Sequence, residues 1–341
     1  MKNDRYLLIS SCRNEGPYID GLIDAIAAQT VRPARWVIVD DGSTDDTYAR
    51  CAARAEELAF VEAVEMPGGR QRDFSSKVFA LREACERVKG TDLDFIGFID
   101  ADIRVEPFYY ERLMSLMASD SHLGLGGGTV LERSNGAVVN TRKGSEDFHV
   151  PGGVQFFRRA CFEQIGGYTP IDAGGEDTIA EVTAMMHGWR VRTFRELTAW
   201  HLRPEGVGSA NVVARGMRWG RRFYLLGYHP LFYFFHCARR AVWRPVVIDA
   251  ACRILGFVLA AAKGETRPVS NEFVRFQRRL QMRRLRKALT RWSWASRQGG
   301  GGDSELGSPF IRGNRANGLV KENAVWAGGG EWAVDEKWRQ P

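Results

Sequence analysis

Four short apolar runs, each followed by a polar or acidic cluster and separated by stretches of helical spacing, constrain this chain more than any other feature. Tyr6–Ser10 opens the series, and Pro17–Gln29 follows with Ile19, Leu22, Ile23 and Ile26 on one helical face. Trp36–Val39 runs straight into Asp40-Asp41-Gly42-Ser43, and Thr44–Leu58 then reads as an Ala-rich helix. Phe60–Val64, a helix over Ser75–Lys89, and Phe95–Ile99 ending at Asp100 complete the series. This βαβαβαβ order predicts an α/β fold: a mostly parallel sheet flanked by helices on both faces. Ligands of such sheets bind beyond the carboxyl ends of the strands. Two acidic clusters stand at such ends here, after Val39 and after Ile99.

Beyond this unit the pattern changes three times. Residues 124–167 are Gly-rich with short β-like runs. Thr178–His187 has helical spacing, with His187 as its C-terminal cap before Gly188, and Val191–Phe194 reads as a strand. After Pro204 the chain turns aromatic and Arg-rich, and after Arg297 it becomes low-complexity with the composition of a disordered tail. The expected organisation is a catalytic domain over 1–205, a basic helical extension over 206–297 and a Gly-rich tail over 298–341. Val212–Arg297 holds 19 Lys and Arg against three acids, so it carries +16 while the rest of a +7 chain carries −9. Such a segment calls for an anionic partner. The six scattered cysteines form no CxxC pair, and the start lacks the apolar core of a signal peptide. Both predict a cytoplasmic protein with reduced thiols.

Several constellations carry chemistry. In Asp100-Ala101-Asp102, an extended backbone would point both carboxylates to one side, an oxygen-rich site for Mg²⁺ or Mn²⁺ that a diphosphate would complete. The alternative is a solvated loop. In Asp40–Asp45, Ser43 or Thr44 would cap the next helix, leaving one of two acids to receive a nucleobase N–H. Ser11-Cys12-Arg13-Asn14-Glu15 ends the first strand and alone reads as a polar loop. Gly174-Gly175-Glu176-Asp177 places acids at a helix start, where Asp177 is either a dipole partner or a general base on a Gly-flexible loop. His201, after a predicted strand, is either a third metal ligand or an ordinary core histidine.

In this order, SCRNE, VDDGSTDDT, IDADI, GGVQFFRRACFEQIGGY and GGED resemble inverting family 2 glycosyltransferases of the GT-A fold, of the bacterial surface-polysaccharide type, over about residues 5–205. The resemblance implies a sugar transferred from a nucleoside diphosphate sugar, a UDP-sugar favoured, to a saccharide or lipid-linked acceptor. It implies that Ser11 and Asp41 touch base and ribose, that Lys77 lies near the nucleotide, and that Asp100 meets ribose or diphosphate. Asp102, with His201, would ligate Mn²⁺ or Mg²⁺, and Asp177 would be the base. Gly153, Gln155 and Glu176 would line the acceptor side, with Arg218 and Trp219 near the diphosphate. Arg215-Gly-Met-Arg218-Trp219 is similar to the QxxRW element of processive members, but Arg215 replaces the Gln.

No GxGxxG follows the first strand and no GxxxxGK[ST] is present, which excludes the common dehydrogenase and P-loop patterns. A sugar nucleotidyltransferase and a non-enzymatic binder of membrane or nucleic acid remain as rival readings. Within 206–297 no uncharged run reaches the ~20 residues of a spanning helix. The expectation there is peripheral attachment to an anionic membrane surface rather than nucleic acid, given the sugar chemistry of the catalytic half; the plainer alternative is that these helices pack on the catalytic domain with their arginines solvated.

Overall fold

The first strand has residues suited to two cores at once, because successive strand side chains point to opposite faces. In the computed structural model, β1 (Tyr6–Cys12) sends Tyr6 and Leu8 into one apolar cluster and Leu7 and Ile9 into another. The structure describes residues 5–66, 74–87, 90, 93–134, 137–140, 149–203, 212–243, 247–298, 325–327 and 331–333. Helix α1 (Gly16–Ala27) buries Ile19, Leu22, Ile23 and Ile26 against the first face. Strand β2 (Arg35–Asp40), helix α2 (Thr47–Glu57) and strand β3 (Val61–Glu65) follow. Helix α3 (Phe74–Arg87) then covers the opposite face with Val78, Leu81 and Ala84. Strand β4 (Phe95–Phe98) pairs parallel to β1 with Ile9 opposite Phe98. One buried hydrogen-bond chain ties these three strands: Trp36 Nε1 donates to Ser10 Oγ at 3.1 Å, and Ser10 Oγ donates to the Ile99 carbonyl at 2.7 Å.

The rest of the sheet is built differently. Strand β5 (Ile103–Val105) and helix α4 (Tyr109–Ala118) precede a long β6 (Leu123–Ser134), with β7 (Ala137–Asn140) folded back on it. A 3₁₀ turn (Gly152–Val154) leads into β8 (Phe156–Arg158), followed by helices α5 (Arg159–Gln164) and α6 (Glu176–Met186) and strand β9 (Arg190–His201). The sheet order is β3-β2-β1-β4-β8-β6-β9-β5, with β7 on β6. The β3-β2-β1-β4 half is parallel as expected, but β8 pairs antiparallel with both β4 and β6, and β5 antiparallel with β9. Among the described residues no α-helix lies between β6 and β8, and β8 returns antiparallel to β6.

Three expected boundaries move. Helix α6 begins at Glu176 rather than Thr178, which puts Asp177 inside its first turn. Helix α2 begins at Thr47 rather than Thr44. Strand β9 runs on past Phe194 to His201, across a register shift opposite Gly128 and Thr129 that absorbs the exposed Arg195-Glu196. The C-terminal extension forms α7 (Val212–Leu225), α8 (Pro230–Trp243), α9 (Val247–Ala262) and α10 (Asn271–Gln298). The 205/206 boundary lies outside the described residues, as does most of the tail expected to be disordered. There β10 (Val325–Ala327) and β11 (Glu331–Ala333) form an antiparallel pair.

Gly127 of β6 has no room for a side chain. A Cβ there would stand 2.5 Å from both the Val154 carbonyl oxygen and Val150 Cγ1. Gly127→Ala is therefore expected to cost about 1–3 kcal/mol by overpacking, read as a lower urea midpoint at unchanged slope. An unchanged midpoint would show that the 150–154 segment is not pressed against the sheet.

Candidate active site

The loops after β1 and β2 are locked together by their own side chains. Asn14, held at φ 56°, accepts from Thr44 N–H at 2.8 Å, and its own N–H donates to Ser43 Oγ at 2.9 Å. Asp40 accepts from both the N–H (2.9 Å) and the hydroxyl of Ser43. Neither Ser43 nor Thr44 caps α2: Asp45 accepts from Thr47 N–H at 3.1 Å instead, because Ser43 is already committed to Asp40. Of the adjacent acids, Asp40 is thus consumed by its turn, while the buried Asp41 is approached by Arg13 at 3.8 Å.

A pocket opens between β1, β4, α3 and the start of α6. It is lined by Ile9, Ser11, Lys77, Leu81, Phe98, Ile99, Asp100, Gly152, Tyr168, Glu176 and Asp177. Lys77 Nζ contacts Asp100 Oδ1 at 2.6 Å. Burial works against the ammonium, but Asp100, Glu176 and Asp177 more than offset it and raise the Lys77 pKa above its ordinary value. Five predicted residues, Ser11, Lys77, Asp100, Glu176 and Asp177, therefore share one cavity. Gly153 abuts it, since a Cβ there would lie 3.0 Å from Asp100 Oδ2.

The DAD carboxylates do not point the same way. The segment is a turn, with Ile103 N–H donating to the Asp100 carbonyl at 3.1 Å, rather than the extended backbone expected. Asp100 faces Lys77, while Asp102 faces His201 Nε2 at 3.3 Å and Arg203 at 3.7 Å. His201 Nδ1 is held by the buried Glu132 at 2.7 Å. Burial opposes the charge on His201, yet Asp102 and Glu132 raise its pKa to about 9. Burial likewise opposes ionisation of Asp102, but His201 and Arg203 hold its pKa below the usual value. Among the described residues no three His, Cys, Asp or Glu converge as a metal cluster. The donor chemistry nevertheless fits a divalent ion completed by diphosphate and water: one carboxylate, and one imidazole oriented by a second carboxylate. Glu132 and Arg203 escaped the sequence reading, and Glu15 reads there only as part of a polar loop. Arg203 pairs with Glu15 across the site, and burial, with Asp102 adding to it and Arg203 opposing, raises Glu15 to about 7.

Asp177 sits at the start of α6, after Gly174 and Gly175, both at positive φ. Its Oδ1 accepts from Thr178 N–H at 2.7 Å and lies 3.5 Å from Arg222 Nη2. A Cβ on Gly152 would approach its Oδ2 to 3.1 Å. Burial and the neighbouring Asp177 raise the Glu176 pKa, against Lys77 and Arg222. Two expectations need correction. Gln155 is fully buried, with Oε1 accepting from Tyr168 OH at 2.7 Å and Nε2 donating toward Val150 O and Glu181 at 3.3 Å, so it braces the site and cannot reach an acceptor. Arg218 is exposed, and the α7 cation at Asp177 is Arg222, one turn later. Trp219 lies between the Arg222 and Arg253 guanidiniums, 4.7 and 5.1 Å from its ring, and steadies Arg222 rather than lining the pocket.

Residues 8–165 match the family model described as glycosyl transferase family 2. No curated protein sequence matches the chain. Among solved structures, the mannosyltransferase PcManGT from Pyrobaculum calidifontis, in complex with GDP-Man and Mn²⁺, aligns at TM-score 0.50 and 20% identity over 86% of this chain and 84% of its own. S. aureus TarS in complex with UDP-GlcNAc aligns at TM-score 0.49 and 16% identity over 64% of this chain and 65% of its own. The chain spans less than two-thirds of the TarS structures it matches.

Glu132→Gln preserves volume but removes the charge that orients His201. The affinity for Mn²⁺, read by titration of its electron paramagnetic resonance signal, is expected to fall about 10–100-fold. An unchanged affinity would place the ion elsewhere.

Proposed function

We propose, from the match of residues 8–165 to the glycosyl transferase family 2 model, that this chain transfers a sugar from a nucleoside diphosphate sugar to an acceptor hydroxyl with inversion. The observation that carries the reading is a single pocket lined by Ser11, Lys77, Asp100, Glu176 and Asp177. Ser11 and Asp41 stand at the carboxyl ends of adjacent parallel strands, where a base and ribose bind in folds of this kind. Lys77 and Arg222 are the cations available to a leaving diphosphate. Mn²⁺ or Mg²⁺ held by Asp102 and His201 would add Lewis-acid neutralisation of that charge.

Asp177 takes the proton of the acceptor hydroxyl as its oxygen attacks the anomeric carbon. The new C–O bond forms as the bond to the diphosphate oxygen breaks, and the nucleoside diphosphate departs. One displacement inverts the anomeric carbon, so an α-linked donor gives a β-linked product. Arg222 Nη2 lies 3.5 Å from the Asp177 carboxylate, and the Thr178 N–H in the first turn of α6 donates to it at 2.7 Å. The acceptor enters past Gly152–Gly153, and its class is a saccharide or lipid-linked sugar of surface-polysaccharide synthesis. The GDP-Man and Mn²⁺ bound to PcManGT accord with this donor class.

The first test is a screen of nucleotide sugars for metal-dependent hydrolysis without acceptor. A sugar nucleotidyltransferase or a simple binder would release no sugar from any of them. Asp102→Ala is expected to abolish metal-dependent nucleotide binding in calorimetry, and wild-type turnover in Mn²⁺ would refute the ligand assignment. Asp177→Asn should keep donor binding and lose ~10²–10⁴-fold in turnover, and a loss of less than about threefold would return Asp177 to helix capping.

A further inference from the structure

Helix α9 is amphipathic in the reverse sense to that of a water-soluble surface helix. Its two charged residues face inward: Arg253 Nε contacts Asp249 Oδ2 at 2.7 Å, both side chains are buried, and the guanidinium stacks on Trp219. Its outward positions are apolar, with Ile248 62%, Leu255 51% and Val258 52% exposed beside Leu259. The spacing of 248, 255, 258 and 259 places them on one side of the helix, opposite buried Ala250, Arg253, Phe257 and Ala260. The packing partner is α7, and the two backbones meet through glycines. A Cβ on Gly220 would collide with the Arg253 carbonyl, and one on Gly256 with the Met217 carbonyl.

Helix α8, which packs beside α9, repeats the pattern. Tyr233 and Cys237 are buried, while Leu231, Phe234 and Phe235 are exposed at i, i+3 and i+4. Helix α10 contacts α8, and His229 N–H donates to Gln281 Oε1 at 2.8 Å. Its outer positions include Arg275, Arg279 and Arg283, spaced four apart and exposed. Arg239 of α8 and Lys263 after α9 are exposed as well.

We propose that the outer faces of α8 and α9 seat in the headgroup boundary of an anionic lipid surface, with the arginines of α10 and its neighbours meeting the lipid phosphates. An apolar stripe on two adjacent helices with exposed cations around it has the two signals that interfacial attachment needs. A second copy of this chain would bring the same +16 segment against itself, which like-charge repulsion opposes. Attachment does not span the bilayer. Helix α9 has 16 residues, about 24 Å, and no helix among the described residues is long and apolar enough to cross a membrane. The proposal stands apart from the catalytic reading, since it needs neither donor nor metal.

The test is flotation of the full chain with vesicles of phosphatidylcholine alone and of equal parts phosphatidylcholine and phosphatidylglycerol, at low and high salt. The wild type should float with the anionic vesicles, less so as salt screens the contact. Leu255→Asp with Val258→Asp should lower that partitioning by about a hundredfold. Arg279→Glu with Arg283→Glu should weaken binding to anionic vesicles and leave binding to neutral ones unchanged. All four positions are partly or wholly exposed, and unchanged thermal melting would confirm intact folds. The proposal is overturned if the wild type stays at the bottom of the gradient under every condition, or if the aspartate variant floats like the wild type. It is also overturned if the chain dimerises without lipid and Leu255→Asp dissociates the dimer, which would assign the face to a second copy.

Discussion

The buried carboxylate of Glu181 accepts from Val150 N–H at 2.8 Å, contacts His149 Nδ1 at 2.7 Å and receives the Gln155 amide at 3.3 Å. These contacts fix both ends of the Val150–Gln155 segment, and that segment sets Gly152 against Asp177 and Gly153 against Asp100. Glu181 follows Asp177 by one helical turn, so a single face of α6 delivers both the candidate base and the brace that shapes the pocket around it. The glycines of β6 let the segment approach this closely, since any side chain at Gly127 would push Val154 away. An unpaired Glu181 would cost far more than a surface acid, because the side chain is buried.

The C-terminal helices belong to the same construction. Gly175, at φ 111°, has Leu226 and Arg222 where a Cβ would stand, so the turn before Asp177 is shaped by the end of α7. Ile171, Ile179, Val182, Leu226 and Phe273 form one apolar cluster that joins α6, α7 and α10. Arg221 adds an ion pair to Asp172 on the loop before α6. Arg222 thus reaches Asp177 on the back of a packed interface, and Trp219 and Arg253 extend the same stack of charge and ring toward α9. A chain cut near residue 205 would lose that cation and expose the cluster.

Much of this was legible in the order of residues. Strand and helix periodicity, the turn residues after Val39 and Ile99, and the Gly-Gly-Glu-Asp start of α6 are local signals, because side-chain direction repeats every two or 3.6 residues and turn chemistry acts over four. They located the parallel half of the sheet, the acidic strand ends at Asp40–Asp41 and Asp100, and the acidic start of α6. Ser11, Asp41 and Lys77 are singled out by the family resemblance rather than by local pattern, and of these Ser11 and Lys77 line the pocket with Asp100 and Asp177. The long α9 read only as an interrupted apolar run, since its charges betray their inward direction only when Trp219 and α7 are in place.

What the tertiary structure alone decided is partnership. Asp100 and Asp102 are two residues apart, yet one meets Lys77 and the other His201, because the turn between them rotates their side chains onto different elements. Glu132 supports His201 from 69 residues away, and Arg203 reaches Glu15 across 188. The resemblance places Gln155 on the acceptor side, but β8 lies between β4 and β6 and carries it inward. Arg218 and Arg222 are equal on the helix, and only the direction in which α7 docks chooses between them. Local sequence determines where a side chain leaves the backbone. The order and direction of the strands determine what it meets, and that order is settled by the packing of the whole sheet, which no stretch of the chain records by itself.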